Sequence, residues 1–164
     1  MKDIELYGLA EIVGTALRKR GVRLVTVESC TGGWAAAAIT DVPGSSEWFE
    51  CGFVTYSNRA KRELLGVSEA TLAQHGAVSE ETVRAMAAGA LKRSGADLAV
   101  AISGIAGPAG GTADKPVGTV WIAWLSREGR FSQTKRELLA GDRRHIRRQA
   151  VGIALRGILD ATRG

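Results

Sequence analysis

Apolar positions over residues 3–20 recur at helical spacing: Ile4, Leu6, Leu9, Ile12, Val13, Ala16 and Leu17, ahead of a basic end and Gly21. That pattern predicts an amphipathic helix over 3–20, closed at the glycine. Residues 22–28 form a short, nearly continuous apolar run, which reads as a buried strand. The alanine-rich stretch 32–41 predicts a helix that stops at Asp41-Val-Pro-Gly44. Residues 50–57 are rich in strand formers and predict a second strand. Asn58 is expected to cap a short helix ending at Leu65 before Gly66, and 68–75 predicts another before Gly76. Ser79-Glu-Glu opens a longer helix to Ser94, with acids in its first turn as the helix dipole prefers. A third buried strand is expected over 97–103, a fourth over 118–125, and a fifth over about 131–139 after a hairpin turn at Glu128-Gly129-Arg130. A last helix starts at Asp142, with Ile146, Ala150, Ile153, Ala154, Leu155 and Ile158 on or near its apolar face.

Strands separated by helices predict an α/β fold, a three-layer α/β/α sandwich around a mixed, mostly parallel sheet of about five strands. The hairpin near residue 129 brings one antiparallel strand into that sheet. The chain of 164 residues is 45% hydrophobic and 24% charged, values suited to one globular domain, expected here over 1–164. No apolar run approaches the roughly 18 to 20 residues that cross a bilayer, and the N-terminus carries acids where a signal peptide has its apolar core. A cytoplasmic protein with no membrane partner is therefore expected. Cys30 and Cys51 form no metal-binding spacing with each other or with His75 and His145, so neither a metal nor another cofactor is expected. The net charge of +5 admits any anionic ligand. Arginine is concentrated over 143–148 without interleaved aromatics, which disfavours a nucleic-acid surface.

The chemistry concentrates where strands end, because open α/β sheets bind ligands beyond the carboxyl ends of their strands. Ser29 sits where the first strand turns into a helix, in Val27-Glu-Ser-Cys-Thr-Gly-Gly33. Such a turn aims a hydroxyl out of the sheet beside backbone N–H groups that have no partner in the helix. Ser29 is thus a candidate nucleophile, with the N–H groups of Cys30, Thr31, Gly32 and Gly33 as candidate oxyanion donors. The competing reading is that Ser29 or Thr31 merely caps the helix. The Cys30 thiol is a rival nucleophile, or a buried, inert thiol. Neither histidine suits the role of base, since both fall in predicted helical segments away from the strand ends. Lys61, early in the helix after the second strand, can serve if its surroundings make its charge costly, and Tyr56 can relay a proton or hold the pair in register. Otherwise Lys61 is a solvated helix lysine and Tyr56 a half-buried strand residue. Ser103-Gly104-Ile105-Ala106-Gly107 follows the third strand and opens a loop over 104–118 with five glycines, whose backbone can approach a ligand closely. It lacks the spacing of a phosphate-binding or dinucleotide loop and reads as a substrate-binding loop or a flexible connection. Arg143 and Arg147 lie at the start of the last helix, where cations oppose the dipole; a bound anion would reverse that repulsion. A solvated basic face is the alternative.

Several long motifs carry a resemblance. Val-Glu-Ser-Cys-Thr-Gly-Gly at 27–33, Val-Pro-Gly-Ser-Ser at 42–46 and Gly-Phe-Val-Thr-Tyr-Ser-Asn at 52–58 resemble the CinA C-terminal domain family. So do Lys61, Gly-Ala-Val-Ser-Glu at 76–80, Ser-Gly-Ile-Ala-Gly-Pro at 103–108, Lys-Pro-Val-Gly-Thr-Val at 115–120 and Gly-Asp-Arg at 141–143 with Ile146-Arg147. The resemblance runs along nearly the whole chain, and implies a stand-alone member without the family's molybdopterin-binding-type N-terminal domain. It implies hydrolysis of nicotinamide mononucleotide to nicotinate mononucleotide and ammonia in pyridine-nucleotide salvage. The family's serine, tyrosine and lysine fall on Ser29, Tyr56 and Lys61. Arg143 and Arg147, with the 104–111 loop, would then hold the nucleotide phosphate, and a homo-oligomer is expected. Two other classes compete: a non-catalytic module that binds pyridine nucleotides, and an accessory protein of competence or DNA damage.

Overall fold

The computed structural model describes residues 3–163. The elements run α1 (Asp3–Arg20), β1 (Leu24–Glu28), α2 (Trp34–Thr40), a 3-10 turn (Ser45–Glu47), β2 (Phe49–Val54), α3 (Asn58–Leu65) and α4 (Glu69–His75). They continue with α5 (Glu80–Arg93), β3 (Leu98–Gly104), β4 (Thr119–Ser126), β5 (Ser132–Leu138) and α6 (Arg143–Arg163). The sheet order is β2-β1-β3-β4-β5. β1 pairs in parallel with β2 and β3, whereas β4 is antiparallel to both β3 and β5. Only β4 therefore runs against the other four strands. None of the described helices is long and apolar enough to cross a membrane.

The alternation of side chains along the strands builds the three layers. Leu24, Leu98, Val100, Ile102, Val120, Ile122 and Trp124 face a core formed with α1, α2 and α6. Val25, Val27, Ala99, Ala101 and Ala123 face the other core, formed with α3, α4 and α5. β1 and β3 are buried on both faces, which is why they read as continuous apolar runs. The buried Trp124 indole donates to the Ala154 carbonyl at 2.9 Å, so its polar edge is satisfied within the first core.

Several local expectations shift by a residue or more. The second strand ends at Val54, and Thr55–Ser57 becomes a loop. α3 is capped by Ser57, whose hydroxyl accepts from the Ala60 N–H, rather than by Asn58, which is its first helical residue. A serine hydroxyl is short enough to reach back to that N–H from an extended backbone. Ser68 and Ser79 cap α4 and α5 in the same way. Asp142 precedes α6 and accepts from the His145 N–H at 2.8 Å.

α5 and α3 cross closely. A Cβ placed on Gly89 of α5 would lie 2.0 Å from the Leu65 carbonyl oxygen at the end of α3. That neighbour is backbone, so an added methyl can be housed only by moving one helix. Gly89→Ala is expected to lower stability by about 2 kcal/mol, within the range for overpacked cores. A urea midpoint that falls at unchanged slope would show it; an unchanged midpoint would mean the crossing is loose.

Candidate active site

β1 carries the chain to the site. The Ser29 N–H donates to the Ile102 carbonyl at 3.0 Å, and the Thr55 N–H to the Glu28 carbonyl at 2.9 Å, so the ladder holds the backbone on both sides of Ser29's turn. The chain then reverses through Gly32 and Gly33, at φ 61 and 97, into α2. Only glycine adopts such successive conformations without strain. Neither Ser29 nor Thr31 caps α2. The Glu28 carboxylate does so, accepting from the Ala35 N–H at 2.8 Å and the Ala36 N–H at 3.1 Å. A buried carboxylate is suited to a helix N-terminus, where free donors and the dipole offset its desolvation. Ser29 is left with its hydroxyl unspent on the helix.

Lys61 approaches Ser29 from α3. Its side chain is fully buried. Its Nζ lies 3.0 Å from Ser29 Oγ, 2.8 Å from the Thr55 carbonyl and 3.2 Å from the Tyr56 carbonyl. Burial lowers the Lys61 pKa from 10.5 to about 8, because the ammonium loses its hydration. The neighbouring Cys30 opposes that shift. Cys30 itself is buried, and burial pushes its thiol up to about 11, against the pull of Arg147. The thiol is therefore protonated at neutral pH, and is a poor nucleophile.

Ser29, Cys30, Tyr56, Lys61, Ser103, Gly104, Ala106 and Arg143 line one cavity of about 210 Å³, together with Ala77 and Val78. Sequence reasoning missed the last two, which come from the α4–α5 connection. Their signal lay in the Gly-Ala-Val-Ser-Glu segment at 76–80. Ser103 Oγ donates to the Ala77 carbonyl at 2.7 Å and pins that connection to β3. Gly104 forms a close approach: a Cβ there would meet Val120, the Thr119 carbonyl and the Cys30 sulfur at 2.7 to 3.2 Å. Glu28 was missed too, although an acid ending a buried apolar strand is a visible signal. A larger cavity of about 370 Å³ adjoins through Val78 between α4, α5 and the β4–β5 sheet edge, but holds none of the candidate residues.

Other candidates are placed differently from expectation. The Tyr56 side chain is 61% exposed, and its hydroxyl accepts from Arg143 Nη2 at 3.1 Å. The Lys61 amine meets the Tyr56 carbonyl rather than that hydroxyl. Ile105 is not in the cavity wall; its N–H donates to the Thr119 carbonyl and its carbonyl accepts from the Gly118 N–H. Gly107 sits behind the wall and takes Arg143 Nη1 on its carbonyl at 2.8 Å. Of the four turn residues Cys30, Thr31, Gly32 and Gly33 only Cys30 lines the cavity, and the Gly32 N–H is spent on the Ser29 carbonyl at 3.1 Å. Arg147 is outside the cavity. Its Nε donates to the Cys30 carbonyl at 2.9 Å and its Nη2 to the Thr31 carbonyl at 3.0 Å.

A hydroxyl within hydrogen-bond reach of a buried amine, in a cavity whose wall includes Ala77, Val78 and Ala106, is equipped for nucleophilic acyl transfer. Nicotinamide-nucleotide amidohydrolase PncC of Escherichia coli strain K12 is 60% identical over 155 residues, covering 94% of this chain and 93% of that protein. The protein of the same name from Pseudomonas putida is 54% identical, over 92% and 93% of the two chains. The crystal structure of the competence/damage inducible protein CihA from Agrobacterium tumefaciens superposes with a TM-score of 0.93 at 44% identity, covering all of this chain and 98% of that one. Residues 6–162 match the model of the CinA C-terminal domain. With sequence and fold in agreement over nearly its whole length, the chain belongs to the CinA C-terminal domain family.

Proposed function

We propose that this chain hydrolyses the carboxamide of nicotinamide mononucleotide to nicotinate mononucleotide and ammonia, with Ser29 as nucleophile and Lys61 as base. The substrate follows from the activity named in its relatives. The mechanism rests on one observation, the fully buried Lys61 amine 3.0 Å from Ser29 Oγ.

A neutral lysine amine has two N–H bonds and one lone pair. The Thr55 and Tyr56 carbonyls take the two donors, which leaves the lone pair for the Ser29 O–H. Lys61 accepts that proton as Ser29 Oγ attacks the carboxamide carbon. The resulting oxyanion is met by backbone N–H groups of the turn, drawn from Cys30, Thr31 and Gly33. The Lys61 ammonium returns its proton to the amide nitrogen, the C–N bond breaks and ammonia leaves. Water, deprotonated by the same amine, attacks the acyl-serine; the carboxylate product departs and Ser29 regains its proton. The pyridinium ring of the substrate is itself cationic, so its arrival disfavours a charged Lys61 further and favours the base form.

Arg143 lines the cavity with Tyr56, and would hold the nucleotide phosphate. Arg143→Ala is expected to raise KM roughly tenfold or more with kcat little changed, the scale of one lost charge-assisted hydrogen bond. Steady-state ammonia release measures both constants; an unchanged KM removes Arg143 from phosphate binding. The reading as a whole is tested by incubating purified protein with nicotinamide mononucleotide, without added metal, and following ammonia and the nicotinate nucleotide. Their joint appearance is the expected result. Binding in calorimetry with no ammonia would identify a nucleotide-binding module instead. As an amidase of a phosphorylated metabolite, the chain acts in pyridine-nucleotide salvage inside the cell.

A further inference from the structure

We propose that Arg147 is a positioning residue that builds the oxyanion site by holding the carbonyls of Cys30 and Thr31 away from Ser29. The proposal rests on the serine mechanism above and assigns Arg147 a role other than phosphate binding.

A trans peptide is planar, so its N–H points opposite its carbonyl. Arg147 Nη2 holds the Thr31 carbonyl, and the N–H of that same peptide, on Gly32, donates to the Ser29 carbonyl. That N–H thus points away from Arg147 and back to the start of the turn, at the Ser29 main chain. Arg147 Nε holds the preceding carbonyl, of Cys30, and the N–H of that peptide belongs to Thr31. Two successive peptides therefore have their carbonyls on one guanidinium. The Gly32 donor is used, but the Thr31 N–H has no acceptor among the described residues. Thr31 is fully buried, and a buried N–H without an acceptor is costly. A developing oxyanion on the Ser29 adduct would satisfy it. The guanidinium also polarises both peptides in the direction that strengthens their N–H donors.

The mount is rigid. The Arg147 guanidinium lies 5.3 Å from the ring centre of Trp34, the first residue of α2, a cation–π contact added to its hydrogen bonds. Turning this group to a phosphate would strand the Cys30 carbonyl and leave the Thr31 carbonyl with the Trp34 N–H alone.

The test compares wild type, Arg147→Lys and Arg147→Met for ammonia release from nicotinamide mononucleotide. The same proteins are also reacted with an alkyl fluorophosphonate, which bonds to Ser29 Oγ with loss of fluoride and needs an oxyanion donor but no nucleotide. The methionine variant keeps the stem and removes the fork; it is expected to lose roughly 10²-fold in kcat, as when one oxyanion donor is removed, with KM within about twofold. Labelling of Ser29 slows in parallel, and the lysine variant falls between. Should the methionine variant not fold, the lysine variant carries the comparison. A raised KM at unchanged kcat, or unchanged labelling, overturns the proposal. A wild type that labels at Ser29 yet releases no ammonia defeats the amidase reading alone, and the labelling rates of the variants still decide the role of Arg147.

Discussion

Ser29→Ala is expected to abolish ammonia release, by about 10⁴-fold or more, the scale on which removal of a covalent nucleophile falls. Affinity for nicotinamide mononucleotide should stay within about twofold in calorimetry, because the hydroxyl of Ser29 is one small group in a wall built by four other segments. The size of the effect follows from the geometry. Neither Cys30 nor Ser103 can stand in. The Cys30 thiol is held protonated by burial, and the Ser103 hydroxyl is engaged with the Ala77 carbonyl. Cys30→Ala is the companion measurement: it keeps the backbone N–H and should retain most of the turnover. A Ser29→Ala protein that still releases ammonia would end the covalent scheme. Turnover lost in Cys30→Ala at intact fold would transfer the nucleophile to sulfur.

Turnover should rise with pH through an inflection near the Lys61 pKa of about 8. Only the neutral amine can take the Ser29 proton, so kcat/KM gains close to tenfold per unit well below that value and levels off above it. A solvated lysine would place the inflection near 10.5 instead. Lys61→Met should cost about 10³-fold or more, and should erase the inflection as well as the rate. The same depressed pKa has a signature in stability. The unfolded chain binds the proton up to about 10.5 and the folded one only up to about 8, so over that window the unfolded state carries more protons. Stability contributed by this group therefore rises between about pH 8 and 10.5 and is absent below it. In the methionine variant that rise should vanish. A pH–rate profile with no inflection in the wild type near 8 would remove Lys61 as the base.

The two effects are linked by placement. Lys61 reaches Ser29, just past the end of β1, from α3, and α3 is set against α5 by their tight crossing at Gly89. A shift of that crossing moves Lys61 relative to Ser29. Gly89→Ala is thus expected to reduce turnover in the protein that remains folded, not only the amount of folded protein.

Much of this was legible in the chain itself. Helix and strand periodicity reports which face of an element is buried, a property of neighbouring residues, so the order of elements and the sandwich could be read directly. The turn at Ser29 was legible because an apolar run, a serine and two glycines follow one another over residues 22–33. The motifs at 27–33, 52–58 and 103–108 also carried the family. What each side chain does was decided by packing. The lowered pKa of Lys61 arises because the fold strips its water, which no local pattern records. The Glu28 carboxylate took over the cap of α2, releasing Ser29, through a side-chain reach that depends on the strand's final angle to the helix. Tyr56 turned its hydroxyl to Arg143 and offered its carbonyl to Lys61. Arg143 and Arg147 look alike in sequence, four apart on one helix, yet one faces the cavity while the other bonds the backbone of residue 30 from 117 positions away. Spacing determines that two residues share a helix face; which partners that face meets is settled only when distant segments pack against it.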